Sequence, residues 1–191
     1  MPTDEQQTSF ADAVAWRGWL DFHHADTAGV WLAIAKKGSD VRTVSHQEAL
    51  DVAICFGWID AQRKSLDETY FLQRFCRRRP RSAWSKINRS KAEAFIESGI
   101  MTAAGLHEVE SAKADGRWDA AYDGQRTATV PPDLEAAWHG RPKAQAFFKS
   151  LDSQNRYAIL YRIQQAKRPE TRARRIATFV DMLEANEKIY P

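Results

Sequence analysis

The sequence predicts an α+β protein, with a small antiparallel or mixed sheet and helices in the N-terminal half and an all-helical C-terminal half. Three observations carry that prediction. The run from Val30 to Lys36 (VWLAIAK) is short, rich in β-formers and apolar on both faces, as a strand inside a sheet would be. Between Ile59 and Arg77 two alternating segments flank the polar turn Ser65-Leu66-Asp67-Glu68, which reads as an antiparallel hairpin. Beyond Trp84 apolar residues recur at helical spacing to the end of the chain.

The elements follow in order. Ser9 and Asp12 resemble a capping box, and Phe10, Ala13, Trp16, Trp19, Leu20 and His23 continue at helical spacing, so a helix is expected over 9–24. After the strand, Ser45-His46-Gln47-Glu48 is a capping box for an apolar helix over 49–56, which Gly57 is placed to end. In the hairpin, Ile59, Ala61 and Arg63 oppose Asp60, Gln62 and Lys64, and Phe71, Gln73 and Phe75 oppose Tyr70, Leu72, Arg74 and Cys76. An irregular basic loop is expected from Arg77 to Ala83, then helices over 87–98 and 103–115 stopped by Gly99 and Gly116. Further helices are expected over 134–138, 143–150 and 153–166. Pro169 opens a last helix carrying the stripe Ile176, Phe179, Val180 and Leu183. The domains read as 1–116, an α+β domain with the hairpin and basic loop; 117–132, a turn-rich linker; and 133–191, a helical region.

Composition narrows the class. Of 191 residues 43% are hydrophobic, with seven Trp and nine Phe, which excludes a disordered or low-complexity chain. No stretch approaches the ~18 to 20 apolar residues of a membrane span. The opening Met1-Pro2-Thr3-Asp4-Glu5-Gln6-Gln7 is polar and acidic, unlike a signal peptide, and Cys55 and Cys76 imply no disulfide framework, so a cytoplasmic location is expected. The sequence contains no P-loop, G-x-G-x-x-G, H-E-x-x-H or G-x-S-x-G motif, and its five histidines show no metal-ligand spacing. No cofactor or metal is expected, and no feature sets the oligomeric state.

The most conspicuous chemistry is basic. Arg74, Arg77, Arg78, Arg79, Arg81, Lys86, Arg89 and Lys91 precede the first acid, Glu93, and the net charge of the whole chain is only +3. Guanidinium forks bind phosphate or carboxylate, and Phe75 and Trp84 are placed to stack on a base. The alternative is a solvated loop whose charges balance acidic helices elsewhere. A second cluster, Lys167, Arg168, Arg172, Arg174 and Arg175, puts Arg172 and Arg175 three apart on one helix face, as an anion site or as an ion-pair network with Asp60. Asp60 suits positioning or general-base work; Trp58, Trp84, Ser85 and Asn88 read either as walls and anchors of a cleft or as core. Cys55 reads as an inert core thiol, and Cys76, beside the arginines, as the candidate for a reactive one.

Three strings, Cys55-Phe56-Gly57-Trp58-Ile59-Asp60, the basic run from Arg77 to Asn88, and Ala166 to Ile176 (AKRPETRARRI), resemble the bacterial YdeI/OmpD-associated family, also called bacteriocin-protection proteins. The resemblance runs from about Trp19 to about Leu183. It implies a YdeI/OmpD-associated C-terminal region and a stress or antimicrobial-resistance setting, and it carries over no catalytic residue.

These readings lead to non-catalytic binding of an anionic small molecule or acidic partner. The expected site is a cleft between the hairpin and the C-terminal helices. There Arg77, Arg79 and Arg172 clamp the anion with Arg175 beside them, Trp58 and Trp84 form flat walls, Asn88 is a polar anchor, and Asp60 orients the arginines. The first alternative is a nucleic-acid-binding module, which the low net charge disfavours. The second is an enzyme of unknown class using Asp60 or Cys76.

Overall fold

Four strands and the helices that cover them build the N-terminal half of the protein, which is described by a computed structural model over residues 7–191. The first six residues of the polar opening lie outside the described residues. Strand β1 (Gln7–Thr8) runs parallel to β2 (Gly29–Ala35), and β2 and β3 (Trp58–Ser65) both pair antiparallel with β4 (Tyr70–Arg77), giving the order β1-β2-β4-β3. The α+β class and the hairpin are as the alternation predicts, and β2 is interior, as its two-sided apolar pattern requires. Strand β1 has no counterpart in the sequence reading, because two residues are too few to show a period.

Register sorts the side chains. Val30, Phe75 and Asp60 stand opposite one another on one face, whereas Gly29, Cys76 and Ile59 share the other. The first face meets helix α1 (Ala13–His23), where Trp16 lies 5.8 Å from Phe75 and 6.4 Å from Trp58, ring centre to ring centre. Trp16 donates its indole N–H to Ala49 O at 3.0 Å in helix α2 (His46–Cys55), so this large buried side chain is satisfied without water. The cap of α1 is Asp12, which accepts from Ala15 N at 2.9 Å; Ser9 instead donates its hydroxyl to Ala33 O, so the helix begins later than the sequence predicts. The capping box of α2, Ser45 with Glu48, forms as predicted. Gly57 ends that helix at φ +71°, and a Cβ there would meet Glu108 Cγ at 2.8 Å and Ala104 O at 3.0 Å, so glycine is required both for conformation and for space.

Six more helices follow: α3 (Lys86–Glu97), α4 (Ala103–Ala114), α5 (Pro132–Ala137), α6 (Pro142–Ser150), α7 (Ser153–Gln164) and α8 (Pro169–Glu184). The chain forms two compact units. The first comprises the described residues up to Trp84 with Asn88–Ala120, and the second Ser85–Ile87 with Ala121–Pro191. The division falls inside the stretch that reads as a linker, yet that stretch is not a solvated tether: Arg117, Trp118 and Ala121 are all buried. The second unit has its own core, in which Leu134, Phe148, Ile159 and Ile163 meet the α8 stripe of Ile176, Phe179, Val180 and Leu183. That stripe is the one its spacing predicts.

Candidate anion-binding site

The basic loop is held in place by its own backbone and by buried arginines. Arg78 N–H donates to Gly57 O at 3.1 Å, Arg79 N–H donates to Ser82 Oγ at 3.0 Å, and Ser82 N–H returns to Arg79 O at 2.9 Å. Arg117, buried although charged, donates to Ser82 O at 3.1 Å and to Ser111 Oγ, and its Nε lies 2.7 Å from Asp115 Oδ2. Arg78 is buried as well, donating to Ala83 O and lying over the Trp84 ring. A loop so tethered presents its remaining arginines in fixed positions.

At this end of the hairpin lies a pocket of about 400 Å³ within the first unit. Ile59 and Cys76 come from the face of the sheet opposite Phe75, and Ala61 and Gln62 come from a bulge between Asp60 and Arg63, where β3 carries one residue more than β4. The bulge leaves the Gln62 carbonyl out of the ladder, and it accepts from the side chain of Gln73, a buried amide, at 3.1 Å. Arg74, Arg77, Arg79 and Ser82 complete the lining, which contains no carboxylate among the described residues. Arg77 uses one nitrogen on Ala25 O at 3.0 Å, and Arg79 makes no ion pair among the described residues. Both are exposed. The guanidinium groups of Arg77 and Arg79 and the Ser82 hydroxyl, around a hollow with no carboxylate among the described residues, suit an oxyanion.

The other predicted residues fall elsewhere. Trp58 and Trp84 are 0% and 1% exposed, which corrects the expectation that they wall a ligand cleft; Trp58 donates to His24 O and Trp84 packs edge-on against Trp118 at 4.9 Å. Phe75 is equally buried, so neither ring named as a stacking platform faces solvent. Asn88 is buried on α3. Asp60 lies 3.1 Å from His46 Nε2, a pairing that gives it a partner other than the arginines expected. Of the basic cluster, Lys86 pairs with Asp123 at 2.6 Å, Arg89 with Glu93 at 3.6 Å and Lys91 with Asp51. These three cations lie on α3, outside the loop, and are held in ion pairs.

In the second unit Arg172 gives Nε and Nη2 to the two oxygens of Asp133, at 2.5 and 2.9 Å, and Nη1 to Ile163 O at 3.0 Å. Its fork is thereby filled, and the guanidinium holds the Asp133 carboxyl below its ordinary value by hydrogen bonding. Arg175 donates to Arg162 O. A second hollow, about 540 Å³, is floored by Ala173, Ile176 and Val180 and rimmed by the pairs Arg172–Asp133 and Arg141–Asp181.

Cys55 is buried, and burial pushes its thiol above the ordinary value; Cys76 is half-buried in the arginine pocket. Among the described residues no group of three or more His, Cys, Asp or Glu is placed to hold a metal ion, and no helix is long and apolar enough to cross a membrane. Sequence reasoning misses Ser82, Gln62 and Arg117, whose roles depend on a bulge and on a contact 35 residues away in the chain.

Fold and site together define a two-unit α+β protein whose N-terminal unit carries, at the end of a β-hairpin, an arginine-lined pocket to which no described residue contributes a carboxylate. A family model described as Domain of unknown function (DUF8412) matches residues 8–108, just over half of the chain, and the protein belongs to that family. A second family model, described as Bacteriocin-protection, YdeI or OmpD-Associated, matches residues 127–186. That match supports the family resemblance over the C-terminal region. Of the three strings that carry the resemblance only the one from Ala166 to Ile176 falls within it. No curated protein and no solved structure matches the chain.

Proposed function

We propose that the protein binds an anionic ligand, without catalysing a reaction, in the pocket lined by Arg74, Arg77, Arg79 and Ser82. The observation that carries this reading is the lining itself, three arginines and a hydroxyl with no acid among the described residues. Charge-assisted hydrogen bonds from guanidinium groups are about twice as strong as neutral ones. A tethered loop loses less entropy on binding than a free one. Bacteriocin protection, the role printed in the name of the family that matches 127–186, supplies the setting: a stress response in the cytoplasm, where unpaired cysteines are at home.

Two alternatives have less support. A nucleic-acid module needs exposed stacking rings, and Phe75 and Trp84 are buried. An enzyme built on Asp60 has His46 as a partner, yet neither residue lines the arginine pocket, and Cys76 has no histidine in that lining.

Cys76 provides the test, since it lies in the pocket while Cys55 is buried. Inorganic pyrophosphate is expected to slow modification of Cys76 by a neutral maleimide in a saturable way, and the double substitution Arg77→Gln with Arg79→Gln to weaken that protection about tenfold or more. Modification at the same rate with and without pyrophosphate would sink the proposal. A salt series with short DNA and RNA separates the nucleic-acid reading, which requires steep loss of affinity with salt.

A further inference from the structure

We infer that the occupant of this pocket is an acidic polypeptide segment that adds to the open edge of β3 as a further strand, an inference that rests on the anion-binding reading above. Strand β3 ends the sheet order β1-β2-β4-β3, and from Ala61 to Ser65 it is exposed, with no strand on its outer side among the described residues. An extended chain laid there satisfies the outward N–H and C=O groups of the edge, which is the usual geometry of strand addition. The bulge does not obstruct it, because its displaced carbonyl, on Gln62, is already taken inward by Gln73.

Charge selects the partner. Arg63 lies 3.7 Å over the Phe71 ring and Lys64 lies 4.2 Å over the Trp31 ring, one on each face of the sheet, so positive charge flanks the edge above and below. Arg74, Arg77 and Arg79 add to it where the pocket opens beside Ile59 and Ala61. The sole acid in β3, Asp60, is paired with His46. A second copy of this edge would bring Arg63 and Lys64 against their own kind, the device by which sheet edges are kept from pairing with themselves. An acidic strand laid along Ala61–Ser65 meets positive charge on both faces of the sheet, Arg63 on one and Lys64 on the other, so its acidic side chains find a cation whichever face they take. A nucleic acid meets the charge but has no amide ladder to complete.

The test uses the full-length protein and a short end-blocked peptide alternating Glu and Val, together with its Gln-for-Glu counterpart and a form N-methylated at every second residue. The acidic peptide is expected to bind and to slow amide hydrogen exchange across Ala61–Ser65. Its affinity is expected to fall about tenfold or more with the Gln peptide, with the N-methylated peptide, and with Arg79→Gln or Lys64→Glu, exposed positions whose variants are expected to fold. Equal binding by the N-methylated form, unchanged exchange at Ala61–Ser65, or tighter binding by a single-stranded oligonucleotide of matched charge would overturn strand addition. If pyrophosphate still protects Cys76 while the peptide fails to bind, this inference fails and the anion pocket stands. If neither acts, the pocket reading itself fails.

Discussion

The guanidinium carbon of Arg78 lies 3.6 Å from the centre of the Trp84 ring, and both side chains are buried. A cation desolvated against an indole face is held by the ring quadrupole, and its methylene stem fills space that water cannot. This pair anchors the loop whose neighbours, Arg77 and Arg79, line the pocket. Adjacent arginines in one short run thus have opposite roles. Arg78→Ala is expected to lower stability by about 2 to 4 kcal/mol in urea unfolding, whereas Arg79→Ala, an exposed change, should stay within about 0.5 kcal/mol. Equal effects would show that the two arginines are equivalent.

Asn155 holds the segment after α8. Its carbonyl accepts from Ile189 N at 3.1 Å and Tyr190 N at 2.9 Å, and its amide donates to Asp152 Oδ2 at 2.9 Å and Tyr190 O at 3.3 Å. Asn155→Leu abolishes all four bonds, for a loss of about 2 to 3 kcal/mol. The Ile189 and Tyr190 amides should then exchange hydrogen faster, while in Asn155→Asp, which keeps the acceptors, they should exchange at an intermediate rate.

Asp133 titrates below its ordinary value of 3.8, first because Arg172 hydrogen-bonds its carboxylate. A depressed acid stabilises the fold above its unfolded value and loses that contribution as pH falls through the folded value. The stability gap between the wild type and Asp133→Asn is expected to be constant near neutrality and to close below about pH 4. A gap that persists into strong acid would separate Asp133 from the effect.

Tyr157 is the alkaline counterpart. Burial, with Tyr122, Tyr161 and Asp123 nearby, pushes its phenol from 10.0 to about 12, and its hydroxyl donates to Asp123 O at 3.1 Å. The favoured neutral form contributes stability that is complete below the unfolded value of 10.0 and is lost as pH rises toward about 12. Ultraviolet titration should show a late tyrosine step, and Tyr157→Phe should remove it. The same substitution costs about 1 kcal/mol at neutral pH through the lost hydrogen bond.

Much of the fold was legible because local rules dictate it. The capping box Ser45–Glu48, the terminating Gly57 and the period-two hairpin were each readable within a window of a few residues, and each formed. The stripe on α8 follows equally from spacing. The site was half legible: the arginine run and Cys76 were visible, and Arg77 and Arg79 do line one hollow. Trp58 and Trp84 failed as ligand walls because a large aromatic beside a charge run looks the same in sequence whether it covers a core or faces a cleft.

Local sequence settled the elements, their caps and the apolar faces that build two cores, since periodicity and capping act over three to five positions. Folding settled which charges are free. Arg117 reaches Ser82 across 35 positions, Lys91 reaches Asp51 across 40 and Arg172 reaches Asp133 across 39. No local pattern encodes a partner so distant in the chain. A net charge of +3 therefore says little until the packed chain has taken some arginines into its structure and left others, Arg77 and Arg79 among them, facing a pocket with no acid among the described residues.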